Sequence, residues 1–178
     1  MAAPTTTTKF MTEPKAIYPL STNNLEFLAE YSPNAETPDA LRSKVALSAG
    51  SFFTAITTAT AVPERRWSTV QVSENEHVEL NSALLYMNHS CIPSLELDTS
   101  RMEVRVSRTR DLKFGDELNF FYPSTEWEMD KHFACLCGAG NECLGTLRGA
   151  AHIDVSSLRL KGHFINDHIL RLKSQQQR

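Results

Sequence analysis

Cysteine is scarce in this sequence, with four residues among 178, and three of those fall within nine positions. That pattern excludes a disulfide-stapled secreted module, which packs many cysteines into a short chain. Long apolar runs are missing too. No stretch approaches the roughly 18–20 consecutive apolar residues that a bilayer-spanning helix needs, so no membrane partner is expected. Positive charge is not in excess: 18 Lys and Arg stand against 21 Asp and Glu, for a net charge of -3. A domain-wide basic footprint is therefore absent, and direct nucleic-acid binding is not expected. The opening MAAPTTTTKFMTEPK lacks the apolar core of a secretory signal, so an intracellular location, cytoplasmic or nuclear, is expected. What remains is ordinary globular composition, 41% hydrophobic and 22% charged. A chain of this length can bury a core without disulfides.

Patterning along the chain predicts many short strands and few helices, a β-rich α+β fold. Residues 1–40 read as a lead-in, partly flexible, with a short amphipathic helix over NNLEFLAEY (23–31) stopping before Pro33. LRSKVAL and SFFTAITTAT suggest two strands or a hairpin about Ala49-Gly50. Alternation from Thr69 to Val72, then a polar turn, predicts another short strand pair. LNSALLYMNHSC reads as a short apolar helix or turn running into a polar loop. LELDT, MEVRVSRT and DELNFFY read as strands joined by the turn signals DTSR and KFGDE. Residues 152–173 carry Leu, Ile and His at helical spacing, which predicts one helix with Gly162 as its weak point and a frayed SQQQR end. From Arg148 to Arg178 there are six Lys and Arg against two Asp, so that helix is basic.

The cysteines cluster in FACLCGAGNECLG, where Cys135, Cys137 and Cys143 share a glycine-rich turn. In an intracellular chain such spacing is a metal-ligand signal, and three thiolates supply most of a tetrahedral zinc site. Gly138, Gly140 and Gly145 allow the tight turn that brings the sulfurs onto one ion. A fourth ligand has to come from a distance, either Cys91 or one of the six histidines.

Three motifs stand in order: NHSCIPS at 88–94, GDELNFFYPSTEW at 115–127, and CLCGAGNEC. Together they resemble the SET-domain family with its post-SET segment, whose pattern runs N-H-S-C-x-P-N, then G-[DE]-E-L-x-F-x-Y, then C-x-C-x₄-C. The resemblance covers about residues 41–150 and uses every cysteine in the chain. It implies a SET-like domain over 41–130 with a knot-like core, a post-SET zinc segment over 131–150, and a C-terminal helix and tail over 151–178. It also implies that Cys91 joins Cys135, Cys137 and Cys143 on one zinc. Asn88 and His89 correspond to positions that contact S-adenosylmethionine, Phe133 to an aromatic that packs on the donor, and Tyr122 to the catalytic tyrosine of the lysine channel. Taken singly, Asn88-His89 would merely cap a turn and Tyr122 would be a packed strand residue.

The activity so implied is methyl transfer from S-adenosylmethionine to a lysine-type amine. The nucleophile must be a neutral amine, whereas free lysine has a pKa of about 10.4, so a narrow dry channel is needed to lower that value and aim the lone pair. The sequence also departs from the family. Ser48-Ala49-Gly50 stands where the family has G-x-G, Leu85-Tyr86-Met87 replaces the usual approach to the loop, Ser94 replaces an asparagine, and Phe121 replaces an acidic residue. Those departures leave two alternatives: a repurposed enzyme acting on a small molecule without a donor, by cyclisation or isomerisation with Tyr122, His89 and Glu117 as acid–base groups, or a non-catalytic binding module. Either a protein lysine or a small molecule could be the substrate.

Overall fold

A computed structural model describes residues 18, 20–31, 40–154, 156–157 and 162–178. The architecture is β-rich, with short strands in small sheets and few helices, as the patterning predicts. Strand β1 (Ala29–Tyr31), β2 (Leu41–Ser43), β10 (Glu117–Phe120) and β7 (Asn88–His89) form one sheet in the order β1-β2-β10-β7. A second holds β3 (Phe52–Ala55), β9 (Glu103–Val106) and β8 (Leu95–Asp98), and a third β4 (Thr60–Val62), β6 (His77–Glu79) and β5 (Thr69–Gln71). Strands β11 (Phe133–Ala134) and β12 (Thr146–Leu147) pair separately. Among the described residues no helix is long and apolar enough to cross a membrane.

The hairpin of β8 and β9 shows why local pattern suffices here. Leu95, Leu97, Val104 and Val106 are buried on the inward face. Asp98 Oδ1 accepts hydrogen bonds from the Ser100 and Arg101 amides and the Ser100 hydroxyl, closing the turn. These strands, with Leu41, Leu84, Met87 and Leu118, make one apolar core.

The expected helix at 23–31 is cut short. A turn over Thr22–Asn24 leads into α1 (Leu25–Leu28), and Ala29–Tyr31 then pairs with β2 instead. Asn23 and Asn24 both sit at positive φ, which an uninterrupted helix cannot include. The residues around Pro33 lie outside those described. Residues 41–60 do form strands, but not a hairpin: β2 pairs with β1 and β10, while β3 pairs with β9. At the C-terminus the expected helix over 152–173 is also corrected. Residues 158–161 lie outside those described, and the helix seen there, α2, runs from Asp167 to Gln176. Asn166 sets its start. The buried Asn166 side chain accepts from the Thr99 amide and hydroxyl and donates to the Leu97 and Ser124 carbonyls, holding extended backbone just before the helix. The expected fraying of SQQQR is likewise corrected as far as Gln176.

Candidate active site

Segment 88–94 is strapped along β10. Asn88 and His89 lie parallel to Asn119 and Phe120. Ser94, fully buried, donates its hydroxyl to the Glu117 carbonyl (2.7 Å) and accepts from the Asn119 amide (3.1 Å). The loop's start and finish are thus pinned to one strand, which fixes Cys91 between them.

The four cysteines converge. Their sulfurs all lie within 4.8 Å of one another, with Cys91 and Cys135 4.0 Å apart. A zinc–thiolate tetrahedron with bonds of about 2.3 Å sets its sulfurs about 3.8 Å apart, so the arrangement fits such an ion. Gly138 and Gly140 adopt positive φ in the intervening turn, which other residues rarely reach. The Leu144 amide points at Cys91 Sγ (3.4 Å) and the Gly145 amide at Cys143 Sγ (3.4 Å). Burial pushes the Cys91 thiol up to about 11. Burial also acts upward on Cys137, but backbone hydrogen bonds from Cys91 and Ala139 outweigh it and bring that thiol to about 7.

His89 joins this cluster to Tyr122. Its Nδ1 accepts from the Tyr122 amide (3.1 Å) and its Nε2 lies 3.3 Å from Cys91 Sγ, so the neutral ring carries its proton on Nε2 and points it at sulfur. Burial, with His163 nearby, lowers its pKa to about 3 and keeps the ring neutral. The Tyr122 hydroxyl donates to the Met87 carbonyl (3.0 Å). Desolvation, reinforced by Glu126 and Glu117, raises its pKa above the usual tyrosine value, so it stays a phenol.

Two cavities flank that tyrosine. One, of about 310 Å³, is mixed in character and is lined by Asn88, His89, Glu117 and Asn119 together with Tyr122, Phe133 and Leu136. The Asn88 amide donates to Glu117 Oε1 (3.1 Å) at its edge. The other, of about 260 Å³, is mostly apolar, with Trp67, Leu84, Met87 and Phe120 in its walls and Glu126 as a buried carboxyl. Tyr122 and Phe133 line both, their rings meeting edge to face at 6.4 Å. Ser48, Ala49 and Gly50 line neither; Gly50 instead accepts two hydrogen bonds from the Arg105 guanidinium at its carbonyl.

Over 136 residues the chain is 48% identical to methyltransferase flvH of Aspergillus flavus, an alignment covering 76% of this chain and 75% of that protein. This chain belongs to that methyltransferase family. No family model matches it. In this member of the family the residues singled out by sequence, Asn88, His89, Tyr122, Phe133 and the four cysteines, occupy one contiguous region. Glu126 was not legible there, because next to Trp127 and Glu128 it reads as part of a solvated face. Burial raises its carboxyl to about 7, despite hydrogen bonds from the Gln71 amide and Thr125 hydroxyl. Trp67 gave no signal either; Trp127 lines neither cavity and has the Lys173 ammonium 5.1 Å from its ring centroid.

Proposed function

We propose that this methyltransferase is SET-like, takes S-adenosylmethionine in the more polar cavity and an amine of lysine type in the more apolar one, and holds zinc on Cys91, Cys135, Cys137 and Cys143. The observation that carries this reading is the shared wall: two cavities, one more polar than the other, have Tyr122 and Phe133 in common and no other described residue. A transfer between two bound molecules requires such a junction, since in-line displacement depends on aligning the two reactants. When bound, S-adenosylmethionine supplies a sulfonium-activated methyl group, and zinc supplies a tetrahedral crosslink.

The chain's own residues do the rest. Asn88, Asn119 and Glu117 offer amide and carboxylate partners for the polar groups of a donor. Trp67, Leu84 and Met87 receive the aliphatic stem of the amine and exclude water. Tyr122, held un-ionised, orients the amine lone pair. Glu126, whose carboxyl titrates near neutrality, accepts the proton that the ammonium form must lose.

The test is calorimetric titration with S-adenosylmethionine and its demethylated product. Micromolar binding is expected in the wild type and in Tyr122→Phe, with turnover of Tyr122→Phe lowered roughly 10²-fold. No binding at millimolar donor would sink the reading, and turnover of a small substrate without donor would replace it with the cyclisation or isomerisation chemistry.

A further inference from the structure

Two histidines and a carboxylate meet at the base of the cysteine-bearing hairpin, outside both cavities and apart from the thiolates. His132 lies just before β11, and His152 ends a short turn, Ala150–His152, that follows β12. His132 Nε2 is 3.0 Å from Glu128 Oε1, and His152 Nε2 is 2.8 Å from Oε2 and 3.0 Å from Oε1. One ligand atom from each residue can be chosen so that all three lie within 4.8 Å of one another.

The backbone under these side chains is fixed from three directions. The Glu128 carbonyl accepts from Arg65 Nη1 (2.7 Å), the Met129 amide donates to the Arg148 carbonyl (2.8 Å), and the Ala151 amide donates to the Trp127 carbonyl (2.9 Å). Gly149 passes so close that a Cβ there would come within 2.5 Å of the Trp127 carbonyl oxygen. The backbone segments that carry Glu128 and His152 are therefore held against one another before any ion arrives, which is the preorganisation a metal site needs.

We propose that Glu128, His132 and His152 form a second metal site, for a first-row divalent ion such as zinc. Two imidazoles and one carboxylate are the donor set of open zinc sites, whereas magnesium and calcium select oxygen ligands. A tetrahedral ion bonded to nitrogen and oxygen at about 2.0–2.1 Å sets its ligand atoms about 3.3 Å apart, so the histidine–carboxylate spacings need to open by only a few tenths of an ångström. With each ring proton on Nδ1, both Nε2 atoms present lone pairs. The three side chains are 34–47% exposed, which leaves water free to complete the coordination. An ion here clamps both ends of the segment that carries Phe133 and three of the cysteines onto Glu128.

The test is equilibrium dialysis of the full chain against buffered zinc, with metal content measured for wild type, His152→Gln, Glu128→Gln and Cys143→Ser. Wild type is expected to hold about one zinc per chain more than His152→Gln or Glu128→Gln. Cys143→Ser reports on the thiolate cluster separately, so failure of one site is distinguishable from failure of the other. In parallel, the ring ¹⁵N resonances of His132 and His152 should shift when zinc is added to the wild type, a reading that needs no variant to fold. Equal zinc in wild type and His152→Gln, with unmoved histidine resonances, would overturn the site and leave a hydrogen-bonded cluster only.

Discussion

Glu126 carries a conflict between its chemistry and its surroundings. It is buried, and removal from water raises its carboxyl to about 7. The folded chain therefore binds this proton more tightly than the unfolded chain does. The stabilisation that follows is present in full below the ordinary carboxyl pKa and is lost as pH rises through about 7. Relative to Glu126→Gln, the wild type should lose on the order of 3 kcal/mol of stability between about pH 4 and about pH 8, checked by chemical denaturation across that range. The same variant should lose the rise in kcat/KM through neutral pH that a proton-accepting carboxylate gives. A flat stability difference would mean that Glu126 titrates as an ordinary surface acid. His89 behaves in the opposite sense: half-buried and kept neutral by desolvation, with one ring nitrogen on the Tyr122 amide and the other at Cys91, it links the cysteine loop to Tyr122.

At the scale of elements, the hairpin β11–β12 has only two residue pairs of its own. So short a pairing is marginal in isolation, and its order depends on its surroundings, among them the cysteine cluster, the buried Leu147 and the base at Trp127–Glu128. Two outcomes follow. Stripping zinc with a chelator should raise amide exchange across 131–150 while leaving the β8–β9 hairpin protected, as read by hydrogen-exchange mass spectrometry. Uniform protection in the stripped protein would remove zinc from the account. At the base, Gly149 has φ +118 and no room for a Cβ against Trp127. Gly149→Ala should therefore destabilise the protein by on the order of 3 kcal/mol, seen as a lower melting temperature. An unchanged melting temperature would show that the hairpin base is free to shift.

Over the whole molecule, what the sequence disclosed divides along the range of the interactions. The β8–β9 hairpin was legible because its alternation and its DTSR turn are contiguous, and the cysteine cluster because spacing and glycines announce a ligand turn. The pairing of β2 with β10, some 75 residues apart in sequence, had no local signature, so residues 41–60 read as a hairpin they do not form. The helix start was missed for a similar reason: Asn166 is a helix-compatible polar residue until Thr99, Leu97 and Ser124 claim its side chain. At the site, the motif residues were legible, but the buried carboxyl of Glu126 and the meeting of His132 with His152 depend on folding that brings distant segments together.

With zinc on the four thiolates, coordination bonds tie Cys91 to Cys143 and enclose the 51 residues between them in a ring. Under a pulling force applied at the two ends of the chain, that ring stays shut while everything outside it lengthens. At roughly 3.5 Å per residue, about 180 Å of contour is withheld from the stretched chain. The missing length returns in a single step when the metal–sulfur bonds give way, so the extension of one molecule in an optical trap counts whether its metal is in place.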